Sequence, residues 1–524
     1  MATAETAAPQ KLSPEQQLAL DSALQGCNLF ITGVAGTGKS FLVKHIVEAL
    51  RAQGKSVAIT ASTGFAATQI DGMTLHRFSG VGLGTGTKEN LIAEVMTRNK
   101  QARDRWRAAD VLVVDEVSMI DGELLDKVDA VGRACCAGAV GSDEVYNNPI
   151  SPLPFGGKQL MIIGDFLQLP PIKKQLGFAF ECGSWRQAHL IPVQLTRVFR
   201  QSDSEFVEIL SKMRVGILTT EARQMLDSLK RPLDDSDGIK PTMLYPHRGD
   251  VAQENMSHFR RLPADKEQIY RAVDSDQRQA ERLDKEVPAV PELKLRIGTQ
   301  VLLTTNLDVS AKLANGSRGI VTDFVSASGN IDPMHQANVS SFARNQEHAV
   351  SAEDLIVPVV KFGTGEERAI LPHTWSKKIF AGRQTLSRTQ IPLLHAWAIT
   401  VHKCQGMTLD RVVMKLDKCF DDGMAYVALS RCRSPSGIQV LGWDPSKVHA
   451  SQKVQDYYNT FAKQLADAQG WWASHGSSIL RKRNPNGSHQ RLAALSLQAG
   501  NPNQGHGRQL HAGSHADTHS YGGT

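Results

Sequence analysis

The sequence predicts an α/β fold, parallel sheets covered by helices, with a β-rich module set into the second half of the chain. Two observations predict it. Between Asn28 and about Leu169 the Val- and Ile-rich runs "NLFIT", "SVAITAS", "VLVVDE" and "KQLMIIGDF" alternate with longer mixed segments, the pattern of strands buried on both faces and joined by helices. From Lys294 to about Phe380 the runs "TQVLLTTNLD", "GSRGIVTDF" and "LIVPVVKFG" are separated by Asn-Gly and Gly-Thr-Gly turns, which points to the short strands of an all-β insertion.

The other elements fall into place around these. "NNPISPLPFGG" (Asn147 to Gly157) interrupts the first rhythm and reads as a loop. Beyond Leu190, "VQLTRVFRQ" and "PTMLYPHR" read as two more strand ends, and Glu205 to Leu229 has helical spacing. The α/β rhythm resumes at "PLLHAWAITVHKCQGMTLD" and ends near Trp472. From Ser474 the chain is rich in Gly, Asn, Gln, His and Ser with almost no aromatics, so it cannot bury enough apolar surface to offset its ordering entropy and is expected to be disordered. His511, His515 and His519 would share a helix face, but the surrounding glycines argue for a flexible His-rich tail rather than a metal site.

Composition narrows the function classes. At 524 residues the chain is too long for a single core. Its 59 Lys and Arg against 53 Asp and Glu leave a net charge of only +6, so any nucleic-acid surface must be local rather than a global basic field. The seven scattered cysteines contain no C-x-x-C, which suggests neither a disulfide framework nor a zinc ribbon. No apolar run approaches the ~18 residues that span a bilayer, and "MATAETAAPQ" has neither a signal peptide's apolar region nor a transit peptide's arginines. A soluble intracellular protein is expected. "RKR" at Arg481 to Arg483 is too short for a nuclear signal.

The chemistry concentrates at strand ends. "GVAGTGKS" (Gly33, Val34, Ala35, Gly36, Thr37, Gly38, Lys39, Ser40) fits G-x-x-x-x-G-K-[ST] between a strand and a helix. In such a P-loop the N–H groups of Gly36, Thr37 and Gly38 cradle phosphates, Lys39 reaches the terminal ones and Ser40 holds Mg²⁺. "VLVVDEVSM" supplies Asp115, which binds Mg²⁺ through its water shell, and Glu116, which polarises the attacking water of NTP hydrolysis. Gln168 in "GDFLQLPP" ends another buried strand on the same rim, where it either senses a γ-phosphate or merely turns the chain.

The second α/β unit has no P-loop and offers Arg200 and Arg431 instead. Each is either a surface residue or a group that crosses a cleft to neutralise charge on the γ-phosphate. "ASTGFAATQIDGMTLHRFSG" carries small and hydroxyl residues, then His76 and Phe78, a stretch able to bind a sugar–phosphate backbone and stack a base. By itself Phe78 reads first as a core residue.

In order, "LSPEQ", "GVAGTGKS", "ASTGFAA" through "TLHRFSGVGLG", "DEVSM", "PFGGKQLMIIGDFLQLPP", "LTRVFRQ", "AWAITVHKCQGMTLD" and "AYVALSR" resemble the successive motifs of the Pif-one (petite integration frequency) family of superfamily-one DNA helicases, from Leu12 to about Tyr458. The stretch between "DEVSM" and "GDFLQLPP" is similar to this family's signature and separates it from RecD-like relatives. The resemblance implies two RecA-like lobes. Residues 1–190 would form the first, with a wedge at about 80–105; 191–293 and 391–473 would form the second, with an SH3-like barrel at 294–390 inserted and 474–524 as the tail. It assigns Gln16 to the adenine, and places Thr63, His76, His402 and Gln405 on motifs that face DNA or couple it to ATP.

The implied activity is ATP- and Mg²⁺-dependent 5′-to-3′ unwinding in genome maintenance (replication, repair, recombination, telomeres), by a protein that is monomeric in solution. Its substrates would be single-stranded, forked or structured DNA, G-quadruplexes and RNA–DNA hybrids, in the nucleus or mitochondrion of a eukaryotic cell and at no membrane. The alternative is a DNA-stimulated translocase that remodels protein–DNA complexes without processive unwinding. Two departures stand out: an insertion at roughly Cys136 to Leu153, and an N-terminal extension that is almost absent.

Overall fold

In the computed structural model six strands form the first sheet: β1 (Leu29–Gly33), β2 (Val57–Ala61), β3 (Met73–Thr74), β4 (Val111–Asp115), β5 (Gln159–Ile163) and β6 (Ile191–Leu195). Their order is 3-2-4-5-1-6, and every neighbouring pair is parallel. The structure describes residues 12–463 apart from 83, 138–150, 237, 306, 308–312, 314–315, 329–335, 347–349 and 381–383. Most of the insertion at 136–153 therefore lies outside the described residues, as do the tail at 474–524, its three histidines and Arg481 to Arg483.

Why these runs are strands shows in their packing. Along β1, β4 and β5 successive side chains point to opposite faces. Phe30, Leu112, Val114, Leu160 and Ile162 enter one apolar core, while Leu29, Ile31, Val111, Val113, Met161 and Ile163 enter another. A strand apolar at every position needs a cover on each side, and helices supply both. The helix Pro14–Leu24 begins on a capping box in which Ser13 and Gln16 each accept the other's backbone N–H. Residues 88–98 and 100–108, within and just beyond the stretch expected as a wedge, are two helices that bury Leu91, Val95, Ala102 and Trp106 in the first of those cores.

The boundary expected at Leu190 is shifted. Ile191–Leu195 pairs with β1 over five residues, so the first sheet runs on to Leu195. Pro192 is tolerated because β6 is the edge strand. The segment 205–229 is two helices, Ser204–Arg214 and Thr220–Ser228, broken at Gly216, whose φ is +80°.

The second parallel sheet has four strands, Ala398–Thr400, Thr242–Tyr245, Val412–Lys415 and Ile438–Gly442 in that spatial order. Between its first two strands in the chain lies the inserted module, which starts earlier than residue 294. Gln268–Arg271 already pairs antiparallel with Glu292–Leu295. A five-stranded antiparallel sheet follows, Glu367–Ala369, Ile356–Phe362, Arg318–Ser326, Gln300–Leu303 and Leu393–His395, and the hairpin His373–Phe380/Gln384–Gln390 pairs with Val273–Asp274.

A last helix over 452–463 follows the second sheet in the chain but packs on the first lobe. Tyr457 and Phe461 join Phe30, Phe166 and Trp185 in one aromatic cluster, with the Tyr457 ring stacked 4.1 Å from Phe180. Among the described residues no helix is long and apolar enough to cross a membrane.

Candidate active site

The strand order places β1 between β5 and β6, with β4 beyond β5, so the segments leaving β1, β4 and β5 share one rim. The P-loop leaves β1 there and enters the helix Lys39–Ala52. Gly36 and Gly38 have φ of +85° and +79°, and a Cβ at either would lie 2.6 Å from Arg200 Cβ or 2.8 Å from Gln16 Nε2, so both the turn and the close approach require glycine. The helix has no side-chain cap, which leaves its first N–H groups for an anion. Lys39 Nζ donates to the carbonyls of Gly33 (2.7 Å) and Val34 (3.1 Å), and Thr37 Oγ1 donates to Val34. Ser40 is exposed. Gln16 sits behind the loop, donating its amide to Thr37 O at 3.3 Å.

Asp115 and Glu116 stand at the end of β4. The Asp115 carboxyl is pushed up to about 7 by its burial and then by the neighbouring Glu116 charge. Glu116 has a left-handed backbone, φ +53°, a costly conformation for a non-glycine residue and one that tight functional sites retain. Gln168 is buried at the same rim, with Nε2 3.4 Å from Asp165 Oδ2.

The two arginines arrive from different directions. Arg431 follows the second-lobe helix Met424–Leu429, whereas Arg200 lies on the segment leaving β6 of the first lobe. The expectation that both belong to the second unit is corrected by that placement. Arg200 is nevertheless held by the second lobe, donating to Ser430 O (3.0 Å) and Gly406 O (3.5 Å), and Arg431 donates to Val427 O and Ser430 Oγ. Burial and then Arg431 disfavour the charge on Arg200. Two guanidiniums, Arg431 buried and Arg200 half-buried, that face neutral oxygens are costly unless an anion comes between them. Lys39, Ser40, Glu116, Gln168, Arg200 and Arg431 all line one cleft of about 290 Å³.

Phe199 and Arg433 also line the cleft, and the motif reading missed both. Phe199 is half exposed, its N–H bonded to Gly36 O at 2.8 Å and the Arg197 guanidinium 5.0 Å over its ring. The available signal for Phe199 was its place next to Arg200 in "LTRVFRQ".

Residues expected at DNA divide. Phe78 is 1% exposed and packs 4.8 Å from Trp106, so it is a core residue and stacks no base. Gln405 is at the cleft rather than on an outer face: its Nε2 donates to Glu116 Oε2 at 2.9 Å across the two lobes, and its own Oε1 is buried without a partner. Thr63 Oγ1 accepts from Ala66 N–H at the start of the helix Gly64–Gln69. His76 and His402 are partly exposed, and burial lowers the pKa of each. Beside His402 the rings of His247 and Phe420 stack 4.9 Å apart at 7°, Phe420 half exposed, with Lys403 at the surface next to them. Such a strip of flat rings and cations suits unstacked bases; no sequence pattern picked out His247 or Phe420.

The chain matches two family models, "PIF1-like helicase" over residues 11–224 and "DNA helicase Pif1, 2B domain" over 280–324. It is 39% identical over 460 residues to the Xenopus laevis ATP-dependent DNA helicase PIF1, covering 87% of this chain and 65% of that protein's length. Among solved structures it is similar to Pif1 helicase from Candida albicans (37% identity, TM-score 0.67, 86% of this chain and all of that one). It is also similar to Bacteroides Pif1 in complex with ADP-AlF3 and single-stranded DNA (25% identity, TM-score 0.58, 87% and 98%).

Proposed function

The chain belongs to the PIF1-like helicase family, and from that premise we propose that it is an ATP-dependent DNA helicase that moves 5′ to 3′ on single-stranded DNA. The observation that carries the reading is the convergence of Lys39, Glu116, Gln168, Arg200 and Arg431 on a single cleft between two parallel sheets. The P-loop and Lys39 hold the phosphates of ATP, Phe199 stacks on its base, and Gln16, bonded to Thr37 O, is assigned to the adenine. Glu116 takes the proton of the attacking water, and the two guanidiniums neutralise the charge that develops on the γ-phosphate. Arg431 stands on the second lobe and Arg200 is bonded to it, so ATP draws the lobes together and its hydrolysis releases them, one step along the strand per cycle.

Mg²⁺ fits the donor set. Among the described residues no group of three or more His, Cys, Asp or Glu side chains could hold a metal ion, so the ion would take Ser40 and Asp115 from the protein and its other ligands from phosphate and water. A divalent cation beside Asp115 would also favour the carboxylate against the burial and the Glu116 repulsion that raise its pKa.

Thr63, His76, His402, His247 and Phe420 would carry the DNA, and opening a duplex costs about 1.4 kcal/mol per base-pair step. The substrates we assign are single-stranded, forked and G-quadruplex DNA and RNA–DNA hybrids, acted on by a monomer in the nucleus or mitochondrion. The test is strand separation on duplexes with a 5′ or a 3′ single-stranded tail, with Lys39→Ala as control. The reading expects ATP-driven opening of the 5′-tailed substrate alone and none by the variant, which should still bind DNA. DNA-stimulated ATPase without opening would leave a translocase, and opening of the 3′-tailed substrate alone would reverse the polarity.

A further inference from the structure

We propose that Arg214 and Tyr458 are positioning residues for hydrolysis: with Asp165 they form a buried pivot that ties the second lobe and the last helix to the two first-lobe strands carrying the P-loop and Gln168. The proposal rests on the nucleotide-hydrolysing reading above and extends it to side chains outside the cleft.

Asp165 lies just past β5 and is wholly buried. Arg214, the last residue of the helix Ser204–Arg214, forks onto it, Nε to Oδ2 at 2.9 Å and Nη2 to Oδ1 at 2.7 Å, the bidentate geometry that fixes orientation as well as distance. Phe206, Ile209, Leu210 and Met213 of that helix belong to the second lobe's core. The fork is therefore a bond between lobes. Tyr458 closes on the same carboxylate from the last helix. Its hydroxyl donates to Asp165 Oδ1 at 3.3 Å, accepts the N–H of Phe166 at 3.2 Å and is bonded to Thr32 Oγ1 at 2.8 Å, which uses the donor and both acceptor sites of a phenol. The Arg214 guanidinium lies 5.2 Å over its ring.

What the pivot touches gives it a role in the chemistry. Thr32 is bonded to the next residue, Gly33, the start of the P-loop. Asp165 Oδ2, which takes Arg214 Nε, also receives the amide of Gln168. A small rotation of the second lobe about this point is thus passed to the loop that holds phosphate and to the amide that lines the cleft. Misplacement of a catalytic group by about 1 Å can cost 10²-fold in rate. A brace that served stability alone would have no need to meet both strands at their catalytic ends.

Tyr458→Phe keeps the ring in its aromatic cluster and removes only the hydroxyl. With single-stranded oligo-dT as activator and at a temperature well below the melting transition, kcat for ATP hydrolysis should fall roughly five- to tenfold, while KM for ATP and DNA affinity stay close to wild type and the lost hydrogen bonds lower Tm by about a few degrees. Arg214→Lys, which keeps the charge and loses the fork, should lose more, and Arg214→Met more again. Wild-type kcat in Tyr458→Phe, or losses carried by KM for ATP rather than by kcat across the three variants, would overturn the pivot alone. A wild-type protein without DNA-stimulated ATPase would overturn the function first and the pivot with it.

Discussion

Removing the amide of Gln405 tests how the second lobe governs hydrolysis. Its Nε2 holds Glu116 Oε2 at 2.9 Å, and the hydrogen-bonded carboxylate is the group assigned to the attacking water. A hydrogen bond to a charged group is worth about 1.5–3 kcal/mol. While it holds, Glu116 must give up that much to turn toward water, which corresponds to roughly 10- to 150-fold in rate. Gln405 lies in the same turn as His402 and Lys403, next to the Phe420 ring, so DNA on that face is placed to release it. Gln405→Ala should therefore raise ATPase without DNA by about tenfold or more and shrink the stimulation by DNA correspondingly. Gln405→Asn, one methylene short of Glu116, should fall between. The assay is steady-state phosphate release with and without oligo-dT. A basal rate that stays the same or drops in Gln405→Ala would refute the restraint and make the bond an aid to catalysis.

Three further outcomes follow from the geometry. Phe420→Ala should weaken single-stranded DNA binding by roughly 5- to 150-fold, the worth of a stacked base at about 1–3 kcal/mol, read by fluorescence anisotropy, with DNA-free ATPase unchanged. Phe199→Ala should raise KM for ATP several-fold with a smaller effect on kcat, since a stacked base is bound alike in ground and transition states. Asp115→Asn bears on stability. Burial and then the neighbouring Glu116 charge push the folded carboxyl up to about 7, so its contribution is fully favourable below about pH 4, the ordinary carboxylate value, and is lost as pH rises to about 7. Melted without nucleotide or divalent cation, Asp115→Asn should gain in Tm over wild type across that window and hold a constant lead above it; a lead that narrowed with rising pH would contradict the assignment.

Much of this was legible in the chain. The central strands of the first sheet were visible because burial on both faces leaves a run with no polar position, as in "VLVV" before Asp115, and the P-loop because its glycines meet two geometric demands at fixed spacing. Ile191–Leu195 was assigned to the wrong lobe because an edge strand with a proline has a weak pattern that fits either neighbour. Phe78 and Gln405 show the limit of motif reading: one faces Trp106, the other reaches a carboxylate 289 residues away, and local sequence does not record which side of a turn meets a distant partner. Arg214 and Tyr458 stayed hidden for the same reason, since a lone arginine at a helix end and a tyrosine in an aromatic run each have an ordinary explanation.

The return of the last helix to the first lobe has a consequence for synthesis. Phe30 and Trp185 emerge from the ribosome long before Tyr457 and Phe461, which complete their cluster. At about 5–20 residues per second, the interval is on the order of tens of seconds. For that time the amino-terminal lobe presents an open aromatic face, and it can close only after the whole second lobe has been made. The two lobes therefore do not mature one after the other. A nascent chain halted within the second lobe is a natural client for a chaperone that binds exposed aromatic surface.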